Sequence, residues 1–234
     1  MNRPRSRFLA LVAVSALLTG ACSDGGGDGG GDGESEVAAN ARAAAVNIGL
    51  TDLPEGYGAV PPQQDPGDQP SPLQGCVEDL GGTVTSASSP TFRLQTNESL
   101  RFVASQTAIL ADPGTAEELL DIVPEAPTLT CLSERLGAGF AQLLPRTTTE
   151  APLTLAADGD FPGVGETSLR LAGDAVLARE GAEAPISVSS SLVLVRTGDT
   201  FTVLVFGGVL EPFPIELQRS LATTVADRQA DRQG

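Results

Sequence analysis

The sequence of 234 residues contains no histidine, no lysine and no tryptophan, and its one tyrosine is Tyr57. Without histidine, the Ser-His-Asp and Cys-His catalytic arrangements are excluded, as are zinc sites with imidazole ligands. Without lysine, the S-x-x-K motif of the penicillin-binding proteins and the lysine-bearing phosphate loops are excluded too. No G-x-S-x-G motif is present, so the sequence offers none of the familiar nucleophile motifs.

Positive charge is also scarce. All 14 basic residues are arginine, and they face 30 acidic residues, for a net charge of −16. A nucleic-acid-binding protein needs a basic patch, and no segment supplies one, so we expect no nucleic-acid partner. Anionic lipid headgroups repel a chain of this charge as well.

The amino terminus has the pattern of a secretory signal peptide. Arg3, Arg5 and Arg7 precede an apolar run over residues 8–18, which corresponds to a basic n-region followed by an h-region. A membrane-spanning helix needs roughly 20 apolar residues. The run is too short for one, so we predict export rather than a transmembrane anchor.

The run ends in "LTGAC" (18–22), in which small residues lead directly to Cys22. This stretch resembles the lipobox of bacterial lipoproteins. The resemblance implies that residues 1–21 are removed and that the Cys22 thiol carries diacylglycerol, with palmitate among its acyl chains. Two acyl chains hold a protein stably on a membrane, here on the outer face of the cytoplasmic membrane. The alternative is ordinary secretion with cleavage near Cys22 and a free or paired thiol.

A glycine- and aspartate-rich tract follows the cysteine, and we predict that residues 22–36 are the lipidated residue and a flexible linker. Glycine-rich chain behaves as a random coil, so the 14 residues after Cys22 give a spacer of roughly 20 Å. Asp24, Asp28 and Asp32 recur every fourth residue. They lack the close, irregular spacing and the final bidentate carboxylate of a calcium loop, which favours a solvated linker over a metal site.

Residues 37–234 are enough for a single globular domain with a sizeable core. Loss of the three signal-peptide arginines leaves 11 basic and 30 acidic residues, a net charge of −19. Cys76 and Cys131 remain after Cys22, and in an exported chain such a pair most simply forms a disulfide. By closing the loop between the two cysteines, the disulfide would stabilise the folded state by about 4 kcal/mol on the chain-entropy model. The alternative is two buried free thiols.

Hydrophobic patterning predicts an α+β fold, a twisted and mainly antiparallel sheet packed with three or four helices. In the last strand Phe201, Val203 and Val205 alternate with Leu204 and Phe206, which indicates a central strand covered on both faces. A strand is also expected near Ile48, and a short helical turn is expected over residues 76–80. The predicted helices are 37–46, 115–123, 129–143 and 215–228, and the predicted strands are 91–95, 100–110, 153–156, 168–177, 186–196 and 200–210.

Carboxylates are the remaining candidates for chemistry. Asp158, Asp160 and Glu166 lie in "DGDFPGVGE", and a pair of carboxylates is able to hydrolyse a glycoside. In so acidic a chain such a cluster is more simply a solvated, glycine-rich turn. We therefore expect no catalytic residue, no metal site and no cofactor, and we expect that the protein is not an enzyme.

Several segments in order carry a wider resemblance: "DLPEGY" (52–57), Cys76, "LRFVASQTAILADPGTAEELLDIV" (100–123), "TCLSERL" (130–136) and "FPGVGE" (161–166). Together with the lipobox and the final hairpin, they resemble actinobacterial envelope lipoproteins. Those proteins are similar to the extracellular sensor domains of mycobacterial receptor kinases and to PsbP-like lipoproteins. The resemblance implies an antiparallel sheet flanked by helices and non-enzymatic binding, with no catalytic residue to carry over.

The sequence therefore predicts a membrane-anchored module that binds a protein partner or a small envelope ligand, lipidic ligands included. One alternative is a lipid or glycolipid carrier, which needs an apolar cavity of about 1,000 Å³ or more. A second alternative is a hydrolase that uses carboxylates alone.

Overall fold

The computed structural model describes residues 35–60, 73–77, 82–144, 146–181 and 184–232. All of them belong to one compact unit that spans residues 34–234. Cys22, the signal peptide and the predicted linker up to residue 34 lie outside the described residues.

The described chain contains four α-helices, nine β-strands and a 3-10 turn at Leu50–Asp52. The helices are α1 (Glu36–Val46), α2 (Pro113–Ile122), α3 (Ala126–Leu143) and α4 (Ile215–Ala230). The strands are β1 (Gly58–Val60), β2 (Thr83–Ser88), β3 (Thr91–Gln95), β4 (Leu100–Leu110), β5 (Thr147–Ala151), β6 (Ala156–Ala157), β7 (Thr167–Arg179), β8 (Ile186–Thr197) and β9 (Thr200–Val209).

The strands form one twisted sheet in the order β1-β3-β4-β9-β8-β7-β5, and β2 and β6 pair with β4 and β7. Every strand pair in the described chain is antiparallel. The predicted α+β fold is therefore confirmed. Gly198, at a φ of 56°, makes the tight turn between β8 and β9, because glycine adopts a positive φ without steric cost.

Both edges of the sheet are interrupted. On one side β2 and β3 pair with successive parts of β4 and are separated at Pro90. On the other side β5 and β6 pair with successive parts of β7, with Pro152 between them. Proline has no N–H to give to a neighbouring strand, and short broken edges discourage pairing with another chain.

Helices cover both faces of the sheet. One face packs on α2 and α3, and that core includes Leu119, Leu132, Phe140, Leu171, Leu192, Leu194 and Val203. The other face packs on α1 and α4, and that core includes Val46, Val103, Val193, Val195, Leu204, Phe206, Leu221 and Val225. Strand β9 contributes Phe201 and Val203 to the first core and Leu204 and Phe206 to the second, which confirms the prediction of a strand covered twice.

Two predicted strands are wrong. Ile48 is buried, but its N–H bonds to the Ser105 hydroxyl rather than to a neighbouring strand. Residues 153–155 cross the face of β7 without strand pairing, because the side chains of Leu153 and Leu155 enter the core while β5 and β6 lie on either side. β1 and β2 were not predicted, since β1 has only three residues and β2 is rich in serine and threonine, so neither carries much hydrophobic pattern.

The structure joins Cys76 to Cys131 through a disulfide with a Cα–Cα distance of 5.5 Å. The predicted pairing is therefore present. It fastens the segment 73–77 to α3, and Leu73 and Val77, on either side of Cys76, are buried in the adjoining core. Of the helical turn predicted from Cys76 to residue 80, residues 78–80 lie outside the described chain.

We expect Gly173→Ala to destabilise the domain by about 1–3 kcal/mol, as overpacking does. A Cβ at Gly173 would lie 2.2 Å from the Thr154 carbonyl oxygen. That backbone cannot move easily, because Leu153 and Leu155 on either side of Thr154 are buried. Urea unfolding followed by circular dichroism measures the change.

Gly139→Ala is the matched control. A Cβ at Gly139, within α3, meets no atom within 4 Å, so the change should be neutral or stabilise by up to about 1 kcal/mol. Equal stability of the Gly173→Ala variant and the wild type would contradict the tight crossing of residues 153–155 over β7.

Candidate functional site

A groove of about 250 Å³ opens on the α1/α4 face of the sheet, where β7, β8 and β9 meet the start of α4. We call it the β7–α4 groove. It exists because small residues stand between larger ones: Ala172 separates Arg170 from Asp174 on the same face of β7. The groove is lined by Arg170, Ala172, Gly173, Asp174, Ser189, Ser190, Ser191, Phe206, Pro212, Phe213 and Gln218.

The floor of the groove is a hydrogen-bonded polar cluster. Gln218 of α4 is buried, and its Oε1 accepts bonds from Arg170 Nε (2.9 Å) and from the Ser191 hydroxyl (2.9 Å). Its Nε2 donates to the Phe213 carbonyl oxygen at 3.0 Å. Gln218 thus ties α4 to β7, β8 and the preceding loop.

Arg170 carries the positive charge at one end of the groove. Its Nη1 forms an ion pair with Asp158, and its guanidinium lies 6.0 Å from the centre of the Phe161 ring. Nη2 has no hydrogen-bond acceptor among the described residues. Since 14% of the side chain is exposed, this N–H group remains available to a ligand.

At the other end of the groove, Asp174 and Ser189 are cross-strand partners of β7 and β8. Side chains at such positions lie about 5 Å apart on one face. Asp174 is exposed and Ser189 half-buried, and neither side chain has a hydrogen-bond partner within the described chain. Arg170 and Asp174 are four positions apart along β7, which places their Cα atoms about 13 Å from each other.

The wall opposite β7 is formed by the turn after β9. Leu210 adopts a φ of 68°, in the left-handed region that a non-glycine residue occupies at a cost, and 56% of it is exposed. Glu211 accepts a bond from Arg101 at 2.5 Å. Pro212 then brings Phe213 against Phe206, with ring centres 4.8 Å apart.

Of the three carboxylates considered for hydrolysis, Asp158 and Glu166 each pair with a different arginine. Asp158 pairs with Arg170, and it accepts the backbone N–H of Asp160 at 3.1 Å. Glu166 accepts the Gly198 N–H at 3.0 Å and lies 3.8 Å from Arg196. These contacts connect the 158–166 loop to β7 and to the β8–β9 turn. Within the described ranges, no three acidic or thiol side chains come together as metal ligands.

Away from the groove, the same face of the sheet holds a buried polar chain. Asn47 Oδ1 accepts bonds from the hydroxyls of Ser105 (2.8 Å) and Thr107 (3.1 Å). The Thr107 hydroxyl lies 2.9 Å from that of Thr202, which accepts a bond from Gln229 Nε2 at 2.9 Å. This chain connects the residue after α1 with the end of α4 through β4 and β9.

Two paired arginines fasten the same helices at the surface. Arg42 of α1 makes a two-pronged contact with Asp199 (2.8 and 2.9 Å), and its hydrogen bond holds the pKa of that carboxyl below its usual value. Arg228 of α4 contacts Asp52 in the same way (2.9 and 2.7 Å). Burial raises the pKa of Asp52, but the bonds from Arg228 and the Gly49 N–H more than offset it, so the net shift is downward.

Sequence reasoning missed the groove. Arg170 and Asp174 were visible as charged residues within a predicted strand, and Gln218 falls between the apolar residues of α4. Neither position reveals its partner, because the two are 48 residues apart.

The predicted lipidation site, Cys22, lies outside the described residues. No helix of the described chain is long and apolar enough to cross a membrane.

No protein-family model matches this chain, and no curated protein matches it. Two solved structures from Mycobacterium tuberculosis resemble it. The extracellular domain of PknH is 10% identical, with 69% of each chain covered and a TM-score of 0.37. LpqN, involved in cell envelope biogenesis, is 14% identical over 64% of this chain and 80% of LpqN, with a TM-score of 0.24.

The likeness is weak. It confirms the predicted weak resemblance to extracellular and envelope proteins of mycobacteria. At these TM-scores it says nothing about ligands, partners or chemistry.

We expect the domain to lose stability as the pH falls below about 4, through the ordinary pKa of aspartate. The folded-state pKa of Asp199 is depressed, so its contribution is fully present above the unfolded pKa and is lost as the carboxyl protonates in the folded state. In Asp199→Asn this part of the acid dependence should disappear. At pH 7 the variant should be less stable by about 1.5–3 kcal/mol, because Arg42 loses a charged partner.

Urea unfolding at pH 7, 5, 4 and 3 measures this difference. Glu118→Gln is the matched control, since Glu118 is an exposed acid without an ion pair in the described structure. A wild type and an Asp199→Asn variant with parallel acid dependence would contradict the assigned role of the Arg42–Asp199 pair.

Proposed function

We propose that this protein is a lipoprotein anchored through Cys22 to the outer face of a bacterial cytoplasmic membrane. Its folded domain binds a protein partner or a small envelope ligand without catalysing a reaction. The observation that carries the binding role is the β7–α4 groove, a concave site with an available donor at Arg170 and available acceptors at Asp174 and Ser189.

The groove is suited to recognition rather than to catalysis. Its ionisable lining residues are Arg170 and Asp174, and arginine does not exchange its proton at physiological pH. Asp158, the acid next to Arg170, is occupied by the ion pair. General acid–base catalysis needs a titrating group, in most enzymes a pair of them, within reach of the substrate. The serines have no histidine or lysine to activate them, since the chain contains neither.

The support for the lipid anchor lies in the sequence around Cys22. Cys22 follows an apolar run and precedes a glycine-rich tract, and the first helix of the domain begins at Glu36. In this arrangement the acyl chains hold the protein at the membrane, and the tract separates the membrane surface from the domain. A compartment outside the cytoplasm also suits the disulfide between Cys76 and Cys131.

The size of the groove favours a binding module over a lipid carrier. A carrier needs about 1,000 Å³ of apolar space, whereas the groove measures about 250 Å³ and has a polar floor. Large side chains fill both described cores, and Leu192, Leu194, Leu204 and Phe206 are fully buried there.

We expect the full-length chain, expressed in an actinobacterial host, to incorporate an alkyne-labelled palmitate and to partition into the membrane fraction. Cys22→Ala should abolish both, because the acyl chains need the thiol. Click chemistry on the immunoprecipitated protein, followed by detergent-phase partitioning, measures the label and the partitioning separately.

A double variant, Cys76→Ser with Cys131→Ser, is the control for general loss of thiols and should keep the label. An unlabelled wild-type chain, or a label that survives Cys22→Ala, would contradict the anchor.

Native mass spectrometry of the full chain, extracted gently from its own envelope, tests the binding role. We expect a stoichiometric protein or a small bound molecule with the wild type. A bound diacyl lipid beyond the covalent anchor would support the carrier instead. Turnover of a glycoside substrate that disappears in Asp158→Asn with Glu166→Gln would support the hydrolase and contradict the proposal.

A further inference from the structure

We infer that the β7–α4 groove recognises a neutral, hydroxyl-rich ligand, a single sugar ring of an envelope glycan. This inference rests on the proposed binding role and specifies the class of ligand. It follows from the size of the groove, from the mixture of donors and acceptors along it, and from its charge.

The size of the groove sets how much of a ligand it can enclose. A volume of about 250 Å³ corresponds to roughly eight water molecules at about 30 Å³ each. One six-membered sugar ring with its hydroxyl groups fits such a space, whereas an acyl chain pair or a folded peptide does not.

The groups that a ligand would meet differ from one end of the groove to the other. Arg170 Nη2 offers an N–H donor, whereas the Asp174 carboxylate is an acceptor and the Ser189 hydroxyl is both. The Ser191 hydroxyl gives its proton to Gln218 Oε1 and so retains acceptor capacity. A ligand that satisfies both ends must itself donate and accept, which every hydroxyl group does.

The charge of the groove disfavours an anion and gives a cation little advantage. Arg170 is neutralised by Asp158, and Asp174 leaves the site with one net negative charge within a domain that is strongly acidic. An anion therefore meets repulsion, and a cation placed near Asp174 gains little from a group that is open to solvent. A neutral ligand avoids the repulsion, and a cation has little advantage over it.

The turn beside the groove supplies an independent sign of function. Leu210 is held in a left-handed conformation with half of its surface exposed, and a Cβ at Gly208 would lie 2.2 Å from the Glu211 carbonyl oxygen. Strain of this kind collects at ligand sites. Here it places exposed Pro212 at the rim, an apolar surface for the C–H face of a sugar ring.

Saturation-transfer NMR on the full-length chain tests the inference, with the protein held in a detergent that has no sugar headgroup. Methyl α-glucoside, methyl α-mannoside and methyl α-galactoside are the neutral probes, and glucuronate and glucosamine are the charged ones. We expect at least one neutral probe to bind saturably with a dissociation constant of about 1 mM. Glucuronate should bind about tenfold more weakly because it meets the net negative charge of the site, whereas glucosamine should bind about as tightly as the neutral probes, because Asp174 is open to solvent.

Ala172→Phe fills the groove and should weaken binding by about tenfold or more. Ala178→Phe, on the same face of β7 but outside the groove, is the matched control and should leave binding unchanged. Because Ala172→Phe could disturb folding, Asp174→Ala with Ser189→Ala provides a second test on side chains without structural bonds. Glu180→Ala, an exposed acid beyond the strand, controls for loss of charge.

Three results would overturn the inference: no saturable binding of any neutral probe, tighter binding of glucuronate or glucosamine than of the neutral probes, or equal affinity for wild type and both groove variants. A chain that incorporates palmitate and captures a protein partner, yet ignores all glycosides, would overturn the sugar ligand and leave the proposed function intact.

Discussion

The two central strands, β8 and β9, have no solvent-facing side, and this constraint governs the rest of the domain. Strand β9 is buried along nearly its whole length, so its residues require a helical layer on each face. Neither pair of helices alone would shield the sheet. The disulfide acts within one layer, since it holds segment 73–77 and its two buried apolar residues on α3. The opposite layer is held by α1 and α4, which come from the two ends of the described chain.

Polar contacts, rather than apolar area alone, specify how α1 and α4 sit on the sheet. A buried polar group is costly unless its hydrogen bonds are made, so the chain from Asn47 through Thr107 and Thr202 to Gln229 accepts few alternative arrangements. The pairs Arg42–Asp199 and Arg228–Asp52 add charge-assisted bonds at its margins. Buried Gln218 fixes the other end of α4 in the same way, and its hydrogen bonds to Arg170 and Ser191 form the floor of the groove. The groove is therefore a by-product of the same docking that closes the core.

Much of the fold could be predicted from local pattern, and the site could not. The helix over residues 129–143 and the twice-covered strand β9 could be predicted because each places apolar residues on a face at a fixed period. Exposed β2 and the crossing at 153–155 were not, since one has little apolar pattern and the other is irregular chain that buries two leucines. Arg170, Gln218 and Asp158 come together only through the packing of α4 and the 158–166 loop on β7. No spacing of residues within the sequence indicates that these three side chains come together.

The acidity of the domain bears on how it would work at a membrane. Once the predicted signal peptide is removed, the chain has a net charge of −19 and anionic lipid headgroups repel it, so attraction to the surface would not replace the proposed covalent anchor. Repulsion between charges fades over a Debye length of about 8 Å at physiological ionic strength, and the predicted linker reaches roughly 20 Å. A linker shorter than the Debye length would hold the domain in a repulsive field. The predicted linker is longer than that, so a domain anchored as proposed would be free to turn the β7–α4 groove toward the proposed ligand.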